Sequence, residues 1–150
     1  MIKSLDDIKK LLRILAGIFE VASYEWEDSK EKISDNATGS LFVPSWVVQR
    51  DQPNHQRPIL TYRVQVHLVW VCAPDETEVQ TRRIRKAVDS LSEFHQILED
   101  FHRNTLLRVP TEKKMIIPIN GPQEFGAHTE IAIELWGEEN NRWEEVIALW

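Results

Sequence analysis

Hydrophobic and polar positions alternate most clearly over Thr61–Cys72, TYRVQVHLVWVC. Tyr62, Val64, Val66, Leu68, Trp70 and Cys72 share one face by the two-residue period of a pleated strand. The opposite face, Thr61, Arg63, Gln65, His67, Val69 and Val71, is polar in its first half and apolar in its second. The pattern predicts a long antiparallel strand of roughly 40 Å, buried on one face and meeting solvent on the other until near Val69. A strand of that length is expected to extend beyond its own core. Ala73-Pro74-Asp75 then turns the chain into a helix folded back over the strand. Asp75 is the expected N-cap, with Glu78 in the capping-box position. Ile84, Val88, Leu91, Phe94 (or His95), Leu98 and Phe101 recur at three- and four-residue spacings, the stripe of a helix buried on one face.

The other segments fit around this pair. Leu5, Ile8, Leu11, Leu12, Leu15, Ile18 and Phe19 predict a first amphipathic helix capped by Ser4, with Gly17 marking a close contact. Between Tyr24 and Ser40 the periodicity dissolves into charges and turn residues. Leu41–Val48 offers a short strand that Pro44 confines to an edge or breaks. Arg50–Pro58, RDQPNHQRP, is a polar loop between strand candidates Trp46–Gln49 and Ile59–Cys72. Met115–Ile119 reads as a short edge strand containing Pro118. Asn120-Gly121-Pro122 reads as a turn, and Thr129–Trp136 as a strand with one solvated face. Trp143–Trp150 is rich in apolar residues and has to dock on its own domain or on a partner. Together these elements predict a single α+β domain over residues 1–150: a mainly antiparallel sheet with an N-terminal helix and a long central helix on one face. Residues 31–60 are loop-rich, with an exposed loop at 50–58, and 137–150 form a C-terminal segment.

Composition narrows the function. The net charge of −6 argues against nucleic acid as the principal partner, so no specific nucleic-acid binding is expected. No apolar run reaches the roughly 18 residues of a membrane span, and the first residues lack the cleavage pattern of a secretion signal, so the expected origin is cytosolic. Cys72 is the single cysteine and is expected as a small core residue. His55, His67, His95, His102 and His128 do not form a metal-ligand pattern: His95 and His102 share a helix face but lack a third ligand. There is no GxSxG, no HExxH and no glycine-rich phosphate loop. The chain reads as a non-enzyme without catalytic residues, metal or cofactor.

Surface chemistry points instead to contacts between proteins. Arg82, Arg83, Arg85 and Lys86 make a basic cluster on the long helix, and Asp89, Glu93, Glu99 and Asp100 an acidic end that opposes the helix dipole. Six tryptophans are many for 150 residues. Trp70 and Trp136 are expected in the core, whereas Trp26, Trp46, Trp143 and Trp150 fall at element edges, where amphipathic rings favour interfaces. A single-strand nucleic-acid surface would need exposed aromatics, yet Arg63, Gln65 and His67 share a face without any. The candidate contact residues are Arg50, Asp51, His55 and Arg57 in the loop, Arg82, Arg83 and Arg85 on the helix, and Trp143 and Trp150.

The order of these elements resembles the tail terminator (tail-completion) proteins of long-tailed bacteriophages. The resemblance rests on an N-terminal helix, a strand pair around a polar loop, the long strand running into APDETEVQTRRIRKAVDSLSEFHQIL, and the late strand TEIAIELWG. It is one of pattern across most of the chain, without a diagnostic motif, and Gly137–Trp150 departs from it. The resemblance implies a structural virion protein, made in the host cytoplasm, that forms a homo-oligomeric ring, a hexamer. That ring would cap the tail tube at its head-proximal end, meeting the tail tube protein and the head–tail connector protein. The alternative is a small soluble protein-binding or adaptor module, also non-enzymatic.

Overall fold

The computed structural model describes residues 4–19, 23–26, 39–52, 57–105, 113–136 and 142–150. Most of the segment between Tyr24 and Ser40, the loop tip with His55, and residues 106–112 and 137–141 lie outside the described residues, as do the side chains of Trp26 and His102. The element order is α1 (Leu5–Ile18), β1 (Ser23–Trp26), β2 (Ser40–Val43), β3 (Trp46–Asp51), β4 (Ile59–Val71), α2 (Thr77–Thr105), β5 (Ile116–Asn120), β6 (Glu124–Trp136) and α3 (Trp143–Leu149). The fold is α+β, with one mainly antiparallel sheet and the N-terminal and central helices on one face of it.

The alternating stretch forms β4, and β6 pairs with it antiparallel over all thirteen residues, from Ile59↔Trp136 to Val71↔Glu124. The long strand therefore does not run out alone. Its partner is equally long, because the β6 alternation begins at Glu124, five residues before the expected Thr129. The register sets Val64 opposite Ile131, Leu68 opposite Ala127 and Trp70 opposite Phe125, so the buried faces of the two strands form one apolar surface. On the other face Arg63 and Gln65 are half-buried, and burial becomes complete at Val69, as the sequence pattern predicts.

The helices cover the apolar surface. Ile8, Leu12 and Leu15 of α1 and Ala87, Leu91, Phe94 and Leu98 of α2 join the core, with Phe19 and Phe94 stacked at 6.0 Å between ring centroids. At about 1.5 Å per residue, the 29 residues of α2 span roughly 43 Å, close to the length of the β4–β6 ladder. Helix α2 starts after Glu76, whose carbonyl accepts from Gln80 N–H (3.0 Å), while the Gln80 side chain reaches back to the Ala73 carbonyl (2.8 Å). Asp75 is thus not the N-cap; it sits in the preceding turn, which the Glu76 N–H closes on the Ala73 carbonyl. Ser4 does occupy the N-cap of α1, but its hydroxyl donates to the Asp7 carboxylate (3.4 Å) rather than accepting a backbone N–H.

One edge of β4 carries two strands in succession. β3 pairs with its first half (Asp51↔Ile59 to Trp46↔Val64) and β2 with its second (Phe42↔His67, Ser40↔Val69). Pro44, which lacks an N–H, separates them, and Gln65 N–H bonds the Ser45 carbonyl (3.0 Å) at the break. β5, with Pro118, is the other edge, pairing with β6 alone. The dissolved pattern after Tyr24 conceals β1, four residues parallel to β2; so short an edge element leaves no periodicity to read. Trp136 is not core: it lies on the sheet face away from α1 and α2, beside Ile59, and is 47% exposed.

Three glycines differ sharply in what they permit. Gly39 has φ +81°, and a Cβ there would come within 2.6 Å of the Trp70 ring, so a bare backbone is what lets Trp70 lie flat in the core. A Cβ on Gly126 would collide with the Leu68 carbonyl oxygen and reach 2.8 Å from Val69 Cα. Gly17, expected at a close contact, has nothing within 4 Å of the position a Cβ would take, because it faces outward. Gly126→Ala is therefore expected to destabilise by about 1–3 kcal/mol through overpacking, and Gly17→Ala to stabilise by about 0.5–1 kcal/mol. Urea unfolding midpoints of the two variants should move in opposite directions.

Candidate interaction surface

The loop and the basic helix cluster lie at opposite ends of β4. Register Asp51↔Ile59 closes the β3–β4 hairpin and places Arg50, Asp51 and Arg57 at the end where β4 begins. All three are exposed, and Arg50 Nη2 donates to Gln52 Oε1 (2.8 Å). The chain reaches α2, with Arg82, Arg83 and Arg85, only after β4 ends at Val71, roughly 40 Å away at about 3.3 Å per residue. These candidates are two surfaces, not one site. His55 lies outside the described residues.

The basic cluster divides by helix phase. Arg82, Arg85 and Lys86 are exposed, whereas Arg83 turns inward and sets its guanidinium 5.4 Å from the centroid of the Trp70 ring. Trp70, 1% exposed, is thus enclosed by Gly39 and capped by Arg83. The same guanidinium partly offsets the effect of burial on the adjacent Cys72, whose thiol pKa is still raised, with Glu76 adding to the rise. Cys72 is a buried member of the core cluster, not a poised nucleophile.

The sheet face away from α1 and α2 is polar along its middle. Arg63 reaches Gln49 through Nε (2.6 Å) and Glu130 through Nη1 (3.0 Å), and Gln65 Nε2 donates to the other Glu130 oxygen (3.3 Å). The network ties β3, β4 and β6 together across their side chains. Beside it, His67 and His128 oppose each other in the ladder with rings stacked at 4.9 Å, and Phe42 lies 4.9 Å from His67 on the other side. The face that lacks aromatics within β4 therefore gains one from β2, although Phe42 is buried. Residue spacing alone could not reveal the His67–His128 pair, because it depends on register between strands some sixty residues apart. A shallow pocket of about 210 Å³ lies alongside, lined by Gln65, Lys114, Met115, Ile117 and His128 among others. Among the described residues no three His, Cys, Asp or Glu side chains converge, and no helix is long and apolar enough to cross a membrane.

One buried polar chain links α2 to the sheet. Thr129 Oγ1 donates to the Met115 carbonyl (2.8 Å) and, its proton so used, accepts from His95 Nε2–H (2.7 Å), which assigns the ring tautomer. Both side chains are buried. Burial, and then the nearby Lys114 charge, push the His95 pKa below its ordinary 6.5, with Glu99 opposing.

Residues 142–150 contrast with every other described segment. All nine are exposed, among them Trp143 (62%), Leu149 (88%) and Trp150 (101%). Trp143, Val146, Ile147 and Trp150 follow the i, i+3, i+4, i+7 spacing of one helix face. Of the docking alternatives open for this segment, its own described domain buries none of it. No family model, curated protein or solved structure matches the chain.

Two outcomes follow for stability. A histidine whose folded pKa lies below its unfolded value contributes stability that is complete above about pH 6.5 and is lost as pH falls toward the folded value. Wild type should weaken between pH 7.5 and 5.5, and His95→Gln, which keeps a donor toward Thr129, should show a shallower slope in urea titrations. Arg83→Ala should cost about 0.5–1 kcal/mol by removing the cation over Trp70, while Arg82→Ala and Arg85→Ala leave the midpoint within about 0.5 kcal/mol.

Proposed function

We propose that the protein is a non-enzymatic structural subunit that closes into a homo-oligomeric ring at the head-proximal end of a bacteriophage tail, joining the tail tube to the head connector. The observation that carries the self-assembly part of this reading is α3. Seven residues make only two helical turns, too few to be stable in water without packing. Yet these turns and the Trp150 that follows them present two tryptophans, a valine, an isoleucine and a leucine to solvent. Such a patch supports a surface completed by another chain. The hairpin at Arg50–Arg57 and the outward Arg82, Arg85 and Lys86 supply separate polar surfaces at the two ends of β4, an arrangement suited to a subunit that meets different neighbours at each end. The tail assignment itself rests on the resemblance in element order.

A protein-binding module is the second reading, and α3 is also what favours it: a short amphipathic helix with anchors at i, i+3, i+4 and i+7 fits a groove on a different protein. Native mass spectrometry across protein concentrations separates the two. The ring reading expects one closed oligomer, a hexamer, with dissociation on dilution and on Trp143→Ala/Trp150→Ala substitution. A monomer at every concentration, with or without a tail-tube protein added, would contradict it and favour the module. Charge reversal at Arg82 and Arg85 should leave the oligomer intact and abolish attachment to the neighbouring protein; unchanged attachment would remove those residues from the contact.

A further inference from the structure

We infer that α3 of one copy seats on the outward face of α1 in a second copy. The inference rests on the self-assembly reading above and names the surfaces that meet. Helix α1 turns Ile8, Leu12, Leu15 and Ala16 into the core, but Ile14 (53%) and Ile18 (58%) stand exposed one turn apart on its other side. Gly17 lies on the same outward side with open space at its Cβ position, so the α1 backbone is uncovered there, next to the two isoleucines. Lys10 and Arg13, both exposed, lie about one turn toward the N-terminus of the same face.

Helix α3 carries the complement. Its apolar face runs from Trp143 to Trp150, seven residues, the same separation as Lys10 to Gly17. Laid parallel, the two helices bring the tryptophan at 150 level with Gly17, Ile147 level with Ile14 and Trp143 level with Lys10. Glu144, which flanks the apolar face and is exposed, then falls level with Leu11, between Lys10 and Arg13 along the axis. Glu145 points away and pairs with Arg142 at 3.0 Å. The absence of a side chain at Gly17 lets an indole approach the backbone of α1 more closely than a larger residue would. Charge complementarity fixes the direction of packing, and apolar burial supplies the affinity.

The test mixes two chains of different tag length, one carrying Lys10→Cys and the other Arg142→Cys, under mild oxidation; both positions flank the proposed contact and leave Gly17, Ile14 and Trp150 in place. Cys72 stays out of the reaction because it is buried. A mixed covalent dimer that far exceeds the yield from an exposed control, Glu99→Cys paired with Arg142→Cys, is the expected result. A second variant avoids the cysteines: Ile14→Glu places a charge where the isoleucine would be buried and should weaken self-association by about tenfold or more, while the urea unfolding midpoint of the dilute protein stays unchanged. A closed oligomer with no mixed dimer above the control would overturn the docking and leave the ring reading standing. Mixed dimers without a closed oligomer would support the docking and count against the ring. An internal disulfide in the doubly substituted chain at high dilution, with no mixed dimer, would make α1 of the same copy the occupant and refute the inference.

Discussion

The β4–β6 ladder is the constraint on which the other elements depend. Thirteen consecutive pairs fix which side chains of the two strands face the helices. A slip of one residue would turn Val64, Val66, Leu68 and Trp70 to the solvent face and leave α1 and α2 without a surface. Two features hold the register in place. Gly126 lets β6 approach β4 where any side chain would strike the Leu68 carbonyl, and Trp70 fills the end of the core between Gly39 and Arg83. The His95–Thr129–Met115 chain adds a directional link from α2 through β6 to the backbone just before β5.

The two faces of this ladder have different roles. The helix side holds the buried core cluster. The other side carries the Gln49–Arg63–Glu130–Gln65 network and the His67–His128 pair, with side chains satisfied across strands. The largest apolar exposure lies on neither face but in α3, after the chain has left the sheet at Trp136. No residue of α3 is buried, so α3 adds nothing to the core cluster. That division separates what stabilises one copy from what would join it to others.

Much of the fold could be read from periodicity. β4, the α2 stripe, the break at Pro44 and the edge placement of β5 all follow from local patterns, because each is set by residues near in sequence. What escaped was set by contacts between distant segments. The Gly39 notch for Trp70, the inward turn of Arg83 and the opposition of His67 to His128 become visible only once register is known. Gly17 misled for the same reason, since a glycine in a helix reads alike whether it faces a neighbour or solvent. The start of α2 was misplaced because Gln80 reaches back to Ala73, making the first turn from a side chain that no capping pattern names. For the candidate surface, the apolar character of Trp143–Trp150 was legible, but its complete exposure was not.

The central claim is that α3 is unburied in one copy and buried in the assembly. Hydrogen–deuterium exchange of the 143–150 peptide, followed over a hundredfold range of protein concentration, tests it most directly. The account predicts rapid exchange on dilution and increasing protection at high concentration, with β4 and β6 protected throughout. Protection of the peptide that is the same at every concentration would place α3 on its own domain. Rapid exchange at every concentration would mean that no second copy covers it, and either result would contradict the account.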